Sequence, residues 1–322
     1  MKTPNEHKRL MSRRAALAGV AAAALPGALR AQSLATVRVG GVPAETTLPL
    51  VYAMRAGLFK RAGINIDLQG GRNGAETMAA ITSNDLDIGG SGMLSIVLAH
   101  AHGIPIKIVA PSGYYDAETP GGLLVLNSSP LRVAKDFNGK TIGTGTLSDI
   151  NVLGLYSWMD KNGGDRSTLK FLEMPVPALP AALNEGRVDG IIPFDPIFTV
   201  AMATGNVRLV TRPWNSIAPR ILWVGWCASA TWIDSNRDVA QRFAHVMADA
   251  STYCNTHAAE TVDDLVGYTK LDRDLVLHMK RIPQTPVVQA SDIQPLIDVA
   301  VKYNMLTASF PASELIASTA LT

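Results

Sequence analysis

Six short polar loops carry the residues of this chain that could do chemistry. Each follows a stretch that reads as a β-strand. Four lie early: Val42–Thr47 with Glu45 and Thr46, Gly70–Gly74 with Arg72 and Asn73, Gly90–Gly92 around Ser91, and Ser112–Asp116 with Tyr114 and Tyr115. Two lie about a hundred residues on: Thr144–Asp149 with Thr146 and Ser148, and Pro193–Pro196 with Asp195. Their chemistry is recognition. Glycine-flanked helix starts offer backbone amides and a helix dipole to an anion. Arg72 adds a bidentate fork for a sulfonate or carboxylate. Glu45, Asp116, Asp149 and Asp195 pull the other way, and two or more directed inward favour an amine or pyrimidine. Tyr114, Tyr115, Trp223 and Trp226 offer faces to a planar ligand or a cation. The expected ligand set is Glu45, Thr46, Arg72, Asn73, Ser91, Tyr115, Thr144, Thr146, Asp195 and Trp223. Competing roles are plain: Thr46, Ser91 and Ser148 as helix caps, and the aromatics as core.

Catalytic constellations are missing from the sequence. There is no GxSxG or P-loop signature. His100 and His102 stand two apart, which puts the rings on different helix faces. No nucleophile can be matched with a base, so a non-enzyme without cofactor or metal is expected.

The elements that position these loops alternate between strand and helix. Strands are expected at Thr36–Val42, Ile64–Leu68, Leu86–Gly89 and Ile106–Ala110, with helices at Thr46–Lys60, Gly74–Ser83 and Met93–His102. The order then repeats: Thr141–Gly143, a helix Asp149–Lys161, Leu169–Leu172, a helix Pro177–Glu185, Val188–Ile192, a helix Pro196–Ala203, and Val207–Val210. Ala80–Gly103 and Ala182–Gly205 align without a gap, with Asp87 matching Asp189; both Asp residues read as structural. Alternation implies an α/β fold with a largely parallel sheet in each half, and a cleft between halves. Gly122–Asn127 and Ile221–Ala230 read as strands crossing between the halves. The tail after Ser235 is expected to be helical, at Val239–His257, Val262–Thr269 and Ile293–Tyr303, and to pack on the first half. Expected boundaries are 32–124 for lobe 1, 125–220 for lobe 2, and 221–322 for a crossover strand and completion of lobe 1.

Residues 1–31 read as a cleavable export signal. Lys2, Lys8, Arg9, Arg13 and Arg14 precede the apolar run Ala15–Leu25, which is too short for a stable span. Ser12-Arg13-Arg14 before an Ala-rich run resembles a twin-arginine signal. No Cys follows it, so no lipoprotein is expected. The leader takes six of the 29 Lys/Arg and one of the 27 Asp/Glu, leaving a slightly acidic remainder. With no basic run outside the leader, nucleic acid is not an expected partner. Cys227 and Cys254 could pair in an oxidising compartment, but sequence cannot establish their proximity.

Four segments, AMRAGLFKRAGINIDL, AAITSNDLDIGGSGMLSIVLAHAHGIPIKIVA, DFNGKTIGTGTLSDINVLGLYSWMDKNGGD and ALNEGRVDGIIPFDP, resemble the solute-binding proteins of ABC importers for nitrate, sulfonate, taurine and thiamine-precursor pyrimidines. The resemblance covers roughly Val37–Val210. It implies a type II periplasmic binding fold: two Rossmann-like lobes, two crossover strands, and a ligand clamped by hinge closure. It also implies a periplasmic monomer, with a small-molecule ligand and an inner-membrane permease as partners. A small organic anion is the expected ligand, a neutral or cationic heterocycle or amine the alternative. The same family includes pyrimidine synthases that use a Cys-rich segment, which this chain lacks. A transcriptional effector of this fold would need a DNA-binding helix pair where the leader stands.

Overall fold

The computed structural model describes residues 34–71, 74–147 and 149–322; the leader lies outside them. The first sheet opens with β1 (Ala35–Gly41), whose Val37 and Val39 are buried. α1 (Leu48–Arg55) and α2 (Leu58–Arg61) follow. A single helix over Thr46–Lys60 was the expectation. Gly57, at φ 70°, divides it, because only glycine takes that turn without strain. β2 (Ile64–Gly70), α3 (Gly74–Thr82), β3 (Ile88–Gly92), α4 (Met93–Ala101) and β4 (Ile106–Pro111) complete the first pass. The chain leaves through β5 (Tyr114–Tyr115) and β6 (Leu123–Leu126). It then builds β7 (Thr141–Thr144), α5 (Ile150–Lys161), β8 (Lys170–Glu173), α6 (Leu179–Asn184), β9 (Gly190–Ile191), α7 (Ile197–Ala203) and β10 (Val207–Thr211). It returns through β11 (Ile221–Leu222) and β12 (Val224–Ser229). The tail holds α8 (Ala230–Ser235), α9 (Arg237–Thr256), α10 (Val262–Thr269), α11 (Arg273–His278) and α12 (Gln294–Lys302).

Two five-stranded sheets result, ordered β2-β1-β3-β12-β4 and β8-β7-β9-β6-β10. β1 runs parallel to β2 and β3, and β7 runs parallel to β8 and β9. β12 and β6 are antiparallel to their neighbours. Each sheet thus takes one interior strand from the chain's passage to or from the other lobe. This refines the expectation for Gly122–Asn127 and Ile221–Ala230. Their apolar runs are interior strands: Leu123, Leu124, Val125, Trp226, Cys227 and Ala228 are fully buried. Part of the crossing is the short ribbon pairing Tyr114 with Leu222 and Tyr115 with Ile221.

The internal repeat has a physical basis. Asp87 accepts from the backbone N of Arg38 at 2.8 Å, and Asp189 from that of Thr141 at 2.8 Å. Each carboxylate ties the turn before β3 or β9 to the parallel strand beside it, β1 or β7. Asp87 also holds the Arg38 guanidinium at 2.7 Å. Asp87→Ala is therefore expected to cost about 1–3 kcal/mol in urea denaturation with ligand affinity unchanged. Asp189→Ala costs less, its side chain being 39% exposed against 12%.

The tail reaches further than expected. α9 packs on α1 and β4, with Phe243 stacked on Phe59 at 5.4 Å. α12 packs on both α4 and α5, where Asp160 accepts from Tyr303 Oη at 3.0 Å and pairs with Lys302 at 3.1 Å. The tail therefore touches both lobes. Cys227 and Cys254 are free and buried, and burial pushes both thiols up to about 12. No helix among the described residues is long and apolar enough to cross a membrane.

Candidate functional site

The carboxyl ends of β1, β3 and β4 gather Glu45, Thr46, Ser91 and Ser112. Ser91 was expected in a loop but lies in β3, with its backbone opposite Gly225. It caps nothing: α4 starts after Gly92 without a side-chain cap. Its Oγ is buried without a partner among the described residues. A Cβ on Gly74 would fall 2.5 Å from that Oγ, so only glycine lets α3 begin this close to β3. Thr46 likewise is no cap. It sits inside the turn Glu45–Thr47, and its carbonyl accepts from Ser112 Oγ.

An aromatic column fills the crossover. Tyr115 lies between Trp214 and Trp223, with ring centroids 4.5 Å apart on each side. Phe194, beside Asp195, meets Trp223 edge-on at 5.1 Å. Tyr115 is fully buried and its hydroxyl has no partner among the described residues; burial, with the nearby Asp149 charge, keeps its proton on. Trp226 was a candidate face but is core, set against Phe243. Arg220 lies over Tyr114 at 4.1 Å and pairs with Asp292 at 2.9 Å, which makes it a brace of the crossover.

The acids decide the electrostatics. Glu45 accepts from Arg281 Nε at 2.6 Å and from Ile282 N at 2.9 Å; its Oε2 is buried without a partner among the described residues. Asp195 is buried and accepts from Thr199 N at 2.9 Å and Thr199 Oγ1 at 2.7 Å, so it ties down the first turn of α7 from before its Pro196 cap position. Asp149 caps α5 through Asn151 N. Burial raises the carboxyls of Asp149 and Asp195. Burial lifts Glu45 to about 7 against the opposing pull of Arg281, and the charge of Asp195 adds to the rise. Carboxyls from both lobes therefore feel each other.

The folded state holds the Glu45 proton more tightly than the unfolded chain. The resulting stability is complete below the ordinary Glu value of 4.5 and is lost as pH rises through 7. Glu45→Gln removes that dependence. Its stability relative to the parent should rise between about pH 5 and pH 8 by on the order of 3 kcal/mol. Urea titrations at the two pH values measure this; a constant difference would mean that Glu45 is not perturbed.

Features expected to attract an anion are partly engaged. The first amide of α4, Met93 N, donates to Trp223 O at 2.8 Å. The start of α5 is held by its own Asp149. Thr144 is buried, with Oγ1 donating to Thr146 O at 3.3 Å, and Thr146 is exposed. Arg72, Asn73 and Ser148 lie outside the described residues, so the convergence expected of Asn73, Ser91 and Thr146 stays a proposal. The structure brings Thr46 and Trp223 together at Gly113, with Tyr115 stacked on Trp223. A Cβ there would lie 3.1 Å from Thr46 Cγ2, and its carbonyl accepts from Trp223 N at 2.9 Å. Sequence reasoning missed Trp214, Asn151 and Arg281. Only the Pro-Trp pair before the second crossover hinted at Trp214, and Arg281 lies in the tail, far from any strand end.

The two lobes, shared interior strands and crossover define the periplasmic-binding-protein fold. Residues 45–261 match the family model described as NMT1/THI5 like, and the chain belongs to that family. The aliphatic sulphonate binding protein SsuA of Escherichia coli has TM-score 0.74 at 16% identity, covering 89% of this chain and 93% of that one. The alkanesulfonate-binding protein SsuA of Xanthomonas axonopodis pv. citri, bound to MOPS, has TM-score 0.70 at 18% identity, covering 88% and 98%. In sequence, 143 residues are 30% identical to the 4-amino-5-hydroxymethyl-2-methylpyrimidine phosphate synthase of Schizosaccharomyces pombe. That match spans 44% of this chain and 40% of the enzyme.

Proposed function

We propose that this chain is the extracytoplasmic solute-binding component of an ABC importer, and that it captures a planar heterocycle bearing amino or protonated nitrogen. The observation that carries the ligand class is the pair of buried carboxyls, Glu45 in one lobe and Asp195 in the other, with the half-buried Asp149 near Tyr115 of the Tyr115–Trp223 column. Buried acids with raised proton affinity pair with ligand nitrogen that donates or shares a proton. Ring faces at Trp223 and Phe194 suit a flat ligand. The pyrimidine named for the yeast relative is of this class. A sulfonate remains the second reading, favoured by the SsuA neighbours and by the Gly70–Gly74 loop with Arg72. Ligand contacts from both lobes would stabilise the closed form, which the permease recognises. Secretion through a cleaved twin-arginine leader, a monomeric state, lobe boundaries near 124 and 220, and absence of turnover belong to the same proposal.

Calorimetry with 4-amino-5-hydroxymethyl-2-methylpyrimidine and with an alkanesulfonate tests it. The pyrimidine is expected to bind with little salt dependence and to be recovered unchanged. Salt-sensitive binding of the sulfonate alone would reverse the ligand choice, and conversion to product would overturn the binding-protein role.

A further inference from the structure

A chamber of about 350 Å³ opens beside Glu45, walled by Leu48, Tyr114, Cys254, Asn255, Arg281 and Gln284. Its walls come from α1, α9, β5 and the tail segment 281–284, with none from the second sheet. The segment is firmly placed. Tyr114 N donates to Pro283 O at 3.1 Å, and Thr285 N to Ser112 O at 3.0 Å. Asn255 Nδ2 donates to Gln284 O at 2.8 Å, and Gln284 N to Asn255 Oδ1 at 2.9 Å. Arg281 is thus held at the wall, its side chain only 16% exposed. Its Nε is spent on Glu45 Oε1. Its two terminal nitrogens have no partner among the described residues, and they are not among the fully buried unsatisfied atoms. They are therefore accessible donors on a mostly buried cation, the fork that an oxyanion accepts bidentately.

We propose that this chamber receives an oxyanion group (carboxylate, sulfonate or phosphate) of the same ligand whose nitrogen-bearing end meets Asp195, with Arg281 as its anchor. This rests on the heterocycle reading of the cleft. Contacts join the two halves: Glu45 is a wall of the chamber, its neighbour Thr46 lies against Gly113, Gly113 O accepts from Trp223 N at 2.9 Å, and Trp223 meets Phe194, beside Asp195, at 5.1 Å; Glu45 also feels the charge of Asp195. The ligand is then a heterocycle with an anionic arm. That arm would be held by one lobe and its ring by both, so the arm docks first and the ring drives closure.

Proton linkage follows from the same contacts. Glu45 faces Arg281 of the tail and Asp195 of the second lobe; behind Cys254 lie Arg55 and Asp264, paired with each other. An oxyanion on Arg281 displaces the attraction of an ionised Glu45, so binding favours the protonated acid. Inorganic sulfate, whose own charge is constant, should bind more tightly at about pH 6 than at pH 8.

Cys254 reports occupancy in the unaltered protein. Labelling by methyl methanethiosulfonate is followed by mass spectrometry, with Cys227, fully buried elsewhere, as internal control. Sulfate is expected to slow Cys254 labelling about fivefold or more, and more so at pH 6. A phosphate ester of the 4-aminopyrimidine should do so at concentrations at least about tenfold lower, because its ring is tethered to the cleft. Arg281→Gln should remove the protection, and Arg281→Lys should weaken it while keeping the charge; circular dichroism checks that both fold. If the plain pyrimidine binds but neither sulfate nor the ester protects Cys254, the chamber proposal fails and the cleft reading stands. If sulfate protects while the ester gains nothing over it, the single-ligand proposal is overturned. If sulfate protects and no pyrimidine binds, the cleft reading falls and takes the joined ligand with it.

Discussion

Asp195→Asn is expected to weaken binding of a 4-aminopyrimidine by about 2–5 kcal/mol while leaving the fold intact. The two halves of this result have different causes. Asp195 holds the first turn of α7 by accepting from Thr199 N and Oγ1. Asn keeps an oxygen that accepts from the same groups, so the fold changes little. What Asn removes is the charge. The carboxyl is buried, and burial already raises its proton affinity. A ligand nitrogen that shares or donates a proton there satisfies a group that otherwise stays costly. Truncating one partner of a buried charged pair costs about 2–5 kcal/mol. Asp195→Ala would confuse the two effects by also losing the hydrogen bonds to Thr199, at about 1 kcal/mol. Calorimetry gives the affinity, and thermal denaturation without ligand gives the fold. If Asp195→Asn binds the pyrimidine as the parent does, the acids are structural and the heterocycle reading loses its support. Tighter sulfonate binding by the same variant would point to an anion held off by Asp195.

The fold was legible because its signals are local and repeated. β1 reads as a strand from Val37 and Val39, and the turn before β3 reads the same as the turn before β9 because Asp87 and Asp189 do the same work on a strand amide. Boundaries failed where one residue's backbone decided them, as Gly57 does between α1 and α2. The candidate site was legible only in part. Strand-end loops pointed to Glu45, Ser91, Tyr115 and Asp195 without revealing which charges were already satisfied. The pairing of Glu45 with Arg281 spans 236 residues, and no periodicity announces it. Nor does a Gly-flanked loop show whether its amides are free: Met93 N at the start of α4 is taken by Trp223 O across the sheet. Such facts are tertiary, and they moved the ligand reading from anion toward nitrogen heterocycle.

Trp214→Ala is expected to lower stability by about 3–5 kcal/mol, the range for removing a fully buried tryptophan. Trp214 is 0% exposed, stacks on Tyr115 at 4.5 Å, and donates from Nε1 to Asp116 O at 3.3 Å. Removing it strips one face of the Tyr115 ring, worth about 0.5–1.5 kcal/mol beyond the area lost. Tyr115 then keeps only Trp223. The consequence reaches both lobes, because one apolar core contains Trp214, Ile150 and Leu153 of the second together with Ile96 and Ile108 of the first. A core shared in this way predicts one cooperative urea transition whose midpoint falls while its slope holds. Trp214→Phe keeps the stacked face and loses the indole donor, so it should fall between parent and Ala. Two separate transitions in the Ala variant would mean that the lobes fold independently and that the column only spaces them. Trp223→Ala separates stability from function by the same logic. Trp223 is partly exposed and forms the end of the column toward Phe194. Its loss should cost binding of a planar ligand more than it costs the fold, whereas Trp214→Ala should do the reverse.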